Sequence, residues 1–283
     1  MINNLKQVAK HSLVYGLGNI SVKLVGLILI PLYTNPKYFS VQDFGAISLL
    51  DVTIELLISI LGLSIYQAFT RWYWDKEYLA RQKVFFYNFV VQCNHCTNLW
   101  STIFLFSNQF SIFIFGDGTF SYTLKVVFIS AILQIFAQTI LTLLRLQSKS
   151  FFYSILQMTK LTFTLAITIY LIVYLRRGIR GIYEAQIIGF IPFLLMVVRY
   201  VVRNIKIKFE WRILKDLITY SLPMMLGSIS ATILTIFDRY SLNYLASLND
   251  VGIYSLGYRI SNTIRIVVVT SLQLAISPLI FQK

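Results

Sequence analysis

Long apolar runs alternate along the chain with short interruptions of charge, Gly, Pro and Asn. A bilayer core of roughly 30 Å takes about 20 apolar residues of helix. Eight runs reach that length, at 12–34, 44–70, 84–107, 122–147, 151–175, 181–202, 217–246 and 251–280. A helix satisfies its own backbone in lipid, so the pattern predicts an all-α, polytopic membrane protein of about eight transmembrane helices. The first run follows Lys6 and Lys10, but it is longer than a signal-peptide core and lacks a small-residue cleavage site, so it reads as an uncleaved span. Connections are short. The longest, 107–121, is itself mostly apolar and suits the membrane interface, which leaves no room for a folded soluble domain.

Composition agrees with that class: 57% of the 283 residues are hydrophobic and 13% charged, and the mean hydropathy is +0.70. The formal net charge of +14 would suggest nucleic acid in a water-soluble chain. Here the basic residues sort by loop instead. With the N-terminus inside, fourteen fall in the inner connections and five outside: Lys37, Lys125, Arg176, Arg177 and Arg180. The expected location is therefore the cell (inner) membrane, multi-pass, N-terminus cytoplasmic, with anionic lipid rather than nucleic acid as neighbour. The last three outer arginines either line an outer vestibule or mark a different division of the fifth and sixth spans. Two Cys and two His leave little material for a disulfide framework, a zinc site or a His-dependent centre. No metal and no cofactor is expected, and Cys93-x-x-Cys96, inside a span without a second pair, reads as small apolar residues. Arg71-Trp72-Tyr73-Trp74 reads as an interfacial anchor. No Walker A or GxGxxG loop is present.

Five basic residues lie within the spans: Lys23, Lys160, Arg239, Arg259 and Arg265. Each costs about 2.5–3.5 kcal/mol near a helix centre unless it faces a cavity or a partner. At 100° per residue the polar positions gather into stripes. Lys23 lies with Ser12, Gly16, Asn19 and Gly26; Asp51 and Glu55 lie with Ser48, Ser59, Gly62 and Tyr66. Lys160 shares its stripe with Tyr153, Gln157, Thr164 and Thr168, while Arg259 and Arg265 lie with Ser255, Asn262, Gln273 and Ser277. The fourth span carries Ser130, Gln134, Gln138 and Thr142 without a charge. Facing one another, these stripes predict a cavity with a positive excess, favouring an anion, with Lys23, Lys160, Arg259 and Arg265 as binding residues. Arg239, near the outer end of the seventh span, is added to them. The bland alternative is that the charges pair off and hold helices together. Asp51 and Glu55 are the only acids near the middle of a span, which makes them the candidates for coupling to an ion gradient or for pairing.

Sliding the chain by 207 residues superposes Leu27 on Leu234, Tyr33 on Tyr240, Asp43 on Asp250, Gly45 on Gly252, Ser48 on Ser255 and Leu49 on Leu256. Six spans separate the copies, so the repeats should be parallel, related by an axis along the membrane normal, with the binding site between them. The corresponding domains are a six-helix lobe, 1–209, and the first two helices of a second lobe, 210–283. Symmetry calls for about four more helices in that second lobe.

Tyr15-Gly16-Leu17-Gly18-Asn19, Leu29-Ile30-Pro31-Leu32-Tyr33-Thr34 and Asp43-Phe44-Gly45 resemble the first helix and loop of the bacterial polysaccharide (O-antigen, Wzx-type) flippases. Tyr220-Ser221-Leu222-Pro223, Asp238-Arg239-Tyr240 and the string from Val251 to Ile260 resemble that family's seventh and eighth helices. These flippases belong to the multidrug/oligosaccharidyl-lipid/polysaccharide exporter superfamily, with the MATE antiporters. The resemblance implies a MATE-like two-lobe architecture and alternating access. It also implies a polyprenyl-diphosphate-linked oligosaccharide as cargo, carried for polysaccharide biosynthesis and met by basic residues on the first and eighth helices, where Lys23, Arg259 and Arg265 stand. Membrane lipids and the polysaccharide polymerase machinery are the implied partners. A MATE-like cation or drug antiporter should show an intramembrane excess of acid where this chain shows base. A polysaccharide polymerase or glycosyltransferase should carry a larger extramembrane loop with catalytic groups, so the expectation is a transporter and not an enzyme.

Overall fold

The structure is a computed structural model that describes residues 28–73, 87, 89–92, 96, 104–204 and 210–265, the side chains of 263–265 excepted. All the regular elements among these residues are helical. A single turn, α1 (Ile30–Tyr33), leads to α2 (Val41–Leu61), which starts on a capping box: the Ser40 amide donates to the Asp43 carboxylate and the Asp43 amide to Ser40 Oγ. Then follow α3 (Ile65–Trp72), α4 (Ser107–Phe115), α5 (Ser121–Leu146) and α6 (Ser150–Ile169), the last continued by a π-turn over Tyr170–Tyr174. The chain closes with α7 (Gly178–Ile188), α8 (Ile191–Asn204), α9 (Trp211–Leu245) and α10 (Leu248–Arg265).

Among the described residues, five segments are long and apolar enough to cross a membrane: Val41–Leu61, Ser121–Leu146, Ser150–Tyr174, Gly178–Asn204 and Trp211–Leu245. They match the second, fourth, fifth, sixth and seventh expected runs, and α10 opens the eighth. Most of the first and third runs, and the end of the eighth, lie outside the described residues. The protein is a multi-pass, all-α membrane protein. At 35 residues α9 is about 52 Å long at 1.5 Å per residue, so it outruns the hydrocarbon.

Two runs expected as single helices are each divided. The second breaks at Gly62, Leu63 and Ser64, where Leu63 and Ser64 hold φ of 49° and 48°. The sixth breaks at Gly189 and Phe190, before Pro192 in the first turn of α8. The apolar connection after 107 coils into α4 and stops at Gly116, whose φ of 85° suits a residue without Cβ. Between α6 and α7 the turn falls at 175–177, so the expected division of the fifth and sixth spans holds. Two of the three outer arginines there have partners: Arg177 pairs with Glu184 at 3.1 Å, and Arg180 lies over the Tyr122 ring, whose hydroxyl donates to Glu184.

The core forms around α2. Its Phe44, Ile47, Leu50 and Ile54 are buried with Leu124, Val127 and Ala131 of α5 and Ile182 and Tyr183 of α7. On another side α2 meets α10 through the very positions that the 207-residue offset equates. Ser48 Oγ and Ser255 Oγ lie 2.6 Å apart. A Cβ on Gly45 would stand 2.0 Å from the Leu248 carbonyl oxygen, and one on Gly252 would stand 2.4 Å from that of Val41. Since 41 and 248 are themselves 207 apart, the contact is symmetric about a local two-fold axis running between two parallel helices. Small residues permit this backbone approach, the device by which helices associate in lipid, where apolar surface alone gives no preference. The start of α10 repeats that of α2, with Ser247 Oγ donating to Asp250 and the Asp250 amide to Ser247.

Candidate functional site

Below the glycine contact the stripes of α2 and α10 continue into charge. Asp51, one turn past Ser48, accepts from Arg259 at 2.6 Å, and its other oxygen accepts from the Tyr183 hydroxyl of α7 at 3.2 Å. The Arg259 guanidinium also lies over the rings of Tyr33 and Phe44, 5.8 and 5.2 Å from their centroids. Neither member is sealed: their side chains are 24% and 37% exposed. The pair is therefore an open clasp between the two helices, and its strength falls short of that of a dry ion pair.

From α9, Arg239 enters the same region. It is 7% exposed and stacks on Tyr258 with 4.4 Å from guanidinium to centroid, and its Nε has no hydrogen-bond partner among the described residues. Its charge acts on both Asp51 and Glu55. Next to it Asp238 accepts from Tyr254, and the Tyr240 hydroxyl shares a 2.8 Å bond with Thr53 of α2. A buried guanidinium with an idle donor is a standing demand for an acceptor.

Glu55 diverges from its neighbour one turn away. It lines a cavity of about 340 Å³ with Ser59, Ser64 and Tyr66 of the broken second run, Gln138 of α5, Ser228 and Thr232 of α9, and Gln92. No ion pair to Glu55 forms among the described residues. The left-handed turn at 63–64 serves this cavity: Ser64 Oγ lies 2.9 Å from Ser228 Oγ, and two non-glycine residues at positive φ are held where α3 leaves α2.

Arg239, Arg259, Asp51 and Glu55 thus come together, and their formal charges cancel. The expected positive excess rests on Lys23, which lies outside the described residues, and on Arg265, which ends α10 but whose side chain is likewise not described. Lys160 is placed elsewhere, in a separate pocket between α5, α6 and α7, over the Phe190 ring. The fourth-span stripe is shared between the two spaces, Ser130 and Gln134 facing Lys160 and Gln138 the larger cavity. Sequence reasoning missed Tyr183, which anchors Asp51. It passed over the polar spacing of Tyr183 and Gln186, three residues apart, in a span that otherwise reads as apolar.

With this geometry in place, comparison with known proteins is informative. The family described as "Polysaccharide biosynthesis protein" matches residues 8–283. Among solved structures, one designated protein A superposes with a TM-score of 0.74 at 15% identity, covering 97% of this chain and 64% of that one. An outward-facing multidrug resistance MATE family transporter of the MOP superfamily follows, with a TM-score of 0.69, 16% identity, and 95% and 62% of the two chains covered. An inward-facing MATE structure gives 0.61 at 16% identity, over 88% and 62%. At such identities the likeness is one of fold, and the chain spans under two thirds of the length of these structures. No curated protein sequence matches it significantly.

Proposed function

Because the chain belongs to the polysaccharide biosynthesis protein family, we propose that it forms part of a flippase that carries a polyprenyl-diphosphate-linked oligosaccharide across the cytoplasmic membrane. The observation carrying this reading is the convergence of Arg259 and Arg239, from α10 and α9, beside α2, one in an open clasp and the other with an idle donor. A diphosphate competes with Asp51 for Arg259 because it offers more charge and several acceptor oxygens. Displacing Asp51 would unfasten α2 from α10, so that cargo binding and lobe movement are linked through one carboxylate. Lys23 and Arg265 supply the rest of the positive charge. The N-terminus is cytoplasmic, and membrane lipids and the polysaccharide polymerase machinery are the partners.

Glu55, facing the cavity without an ion pair, is the group through which a proton or sodium gradient would act. It is also the feature that a MATE-like cation antiporter would use. The two readings part at Arg259. Arg259→Glu in the complete protein should abolish complementation of polysaccharide export at normal expression and membrane insertion, while Arg259→Lys, with the charge but not the fork, should retain part of it. Full complementation by Arg259→Glu would overturn the flippase reading.

A further inference from the structure

Lys160 lies ten residues into α6, in the middle of a candidate span. No carboxylate lies within ion-pair distance of it among the described residues, where the ion pairs found are Arg177 with Glu184 and Arg259 with Asp51. The only acids outside the described residues, Asp75 and Glu77, sit in the connection after the second run, far in sequence from any mid-membrane position. An ammonium at this depth needs a counter-charge or a polar cavity, and the structure provides the cavity. It has a volume of about 180 Å³ and is lined by Lys160 and Thr164 of α6, Ser130, Leu133 and Gln134 of α5, and Gln186 and Phe190 at the end of α7.

The lining is rich in donors. Ser130 Oγ donates to Gln186 Oε1 at 2.6 Å, and Gln134 Nε2 donates to Ser130 at 3.3 Å. That chain takes up the Gln186 acceptor. Thr164 Oγ1 is buried with no hydrogen-bond partner among the described residues. Ammonium, amide and hydroxyl groups thus line one pocket, with no carboxylate among its described lining residues. A space of about 180 Å³ suits a small anion with part of its hydration shell.

We propose that this pocket is a binding site for a small monovalent anion, a halide or a carboxylate no larger than formate, seated on Lys160 within the N-terminal helices and distinct from the cleft at Arg259. The bound charge replaces the carboxylate that the helix bundle does not supply, and so ties α6 to α5 and α7.

The complete purified protein, with its thermal unfolding followed as gluconate is exchanged for chloride at constant ionic strength, tests this. The unfolding midpoint should rise by several degrees and saturate, formate should substitute for chloride, and Lys160→Met should remove the dependence. Gln186→Glu gives an independent check that does not rely on the Met variant folding. It places a fixed carboxylate beside Lys160, and should raise the half-saturating chloride concentration at least tenfold while keeping the protein folded. A wild-type midpoint indifferent to chloride, or a dependence undiminished in Gln186→Glu, would overturn the site. Neither result bears on Arg259, and failure of the flippase reading would leave the halide dependence unchanged.

Discussion

At the scale of single residues, the decisive contrast is between two acids one helical turn apart. Asp51 is fastened by Arg259 and Tyr183, whereas Glu55 faces open space. Removing one partner of an ion pair leaves the other charge to be solvated on its own, which costs 3–5 kcal/mol when dry. Here the partial exposure of both side chains reduces the expected cost of Asp51→Asn or Arg259→Gln to about 1–2 kcal/mol each. The double variant should cost less than the sum of the two. Unfolding of the complete protein in a double-mutant cycle measures this, and strict additivity would mean that the clasp carries no energy. Transport should respond differently. Glu55→Gln should remove gradient dependence in proteoliposomes, since Glu55 is the carboxylate that meets the cavity, and an unchanged dependence would assign it a packing role.

Helix pairs pose a different question, because α2 and α10 touch through glycine and serine rather than through bulk. A Cβ at 45 or 252 would overlap a backbone carbonyl, which no rotamer change relieves, so the helices must part. Cysteines at 48 and 255, in a background lacking Cys93 and Cys96, should crosslink readily given the 2.6 Å separation of the native oxygens. Gly252→Leu should cut that crosslinking severalfold at equal expression. Crosslinking that persists in full would show that the close approach does not depend on the glycine. Other helices keep wide apolar flanks, with Leu195 of α8 and Leu234 and Phe237 of α9 between 65% and 82% exposed, as expected for faces turned to lipid or to further helices.

For the whole molecule, the testable property is its orientation. Basic residues concentrate in the connections on one side of the expected spans, and the positive-inside rule then predicts a cytoplasmic N-terminus. Position 149, between α5 and α6, should therefore be protected from an impermeant thiol reagent in intact cells, while position 116, at the end of α4, should react. Single cysteines in the same background decide it, and the opposite pattern would invert the topology.

What the sequence determined by itself were the properties that depend on local composition and period. Length and apolarity marked the spans, because a bilayer imposes its thickness on any helix that crosses it. The offset of 207 aligned Gly45 with Gly252 and Ser48 with Ser255, and these same positions meet between α2 and α10. Stripe positions told which residues share a face, so Asp51 and Arg259 were both legible as members of a polar lining. Tertiary structure decided which faces meet. It paired Asp51 with Arg259 and left Glu55 open, sent Lys160 into a pocket of its own, and broke the second and sixth runs where backbone geometry, invisible to hydropathy, turns the chain. The physical reason is that helical period sets the direction of a side chain about its own axis, whereas the partner it reaches depends on how separate helices are rotated and packed against one another.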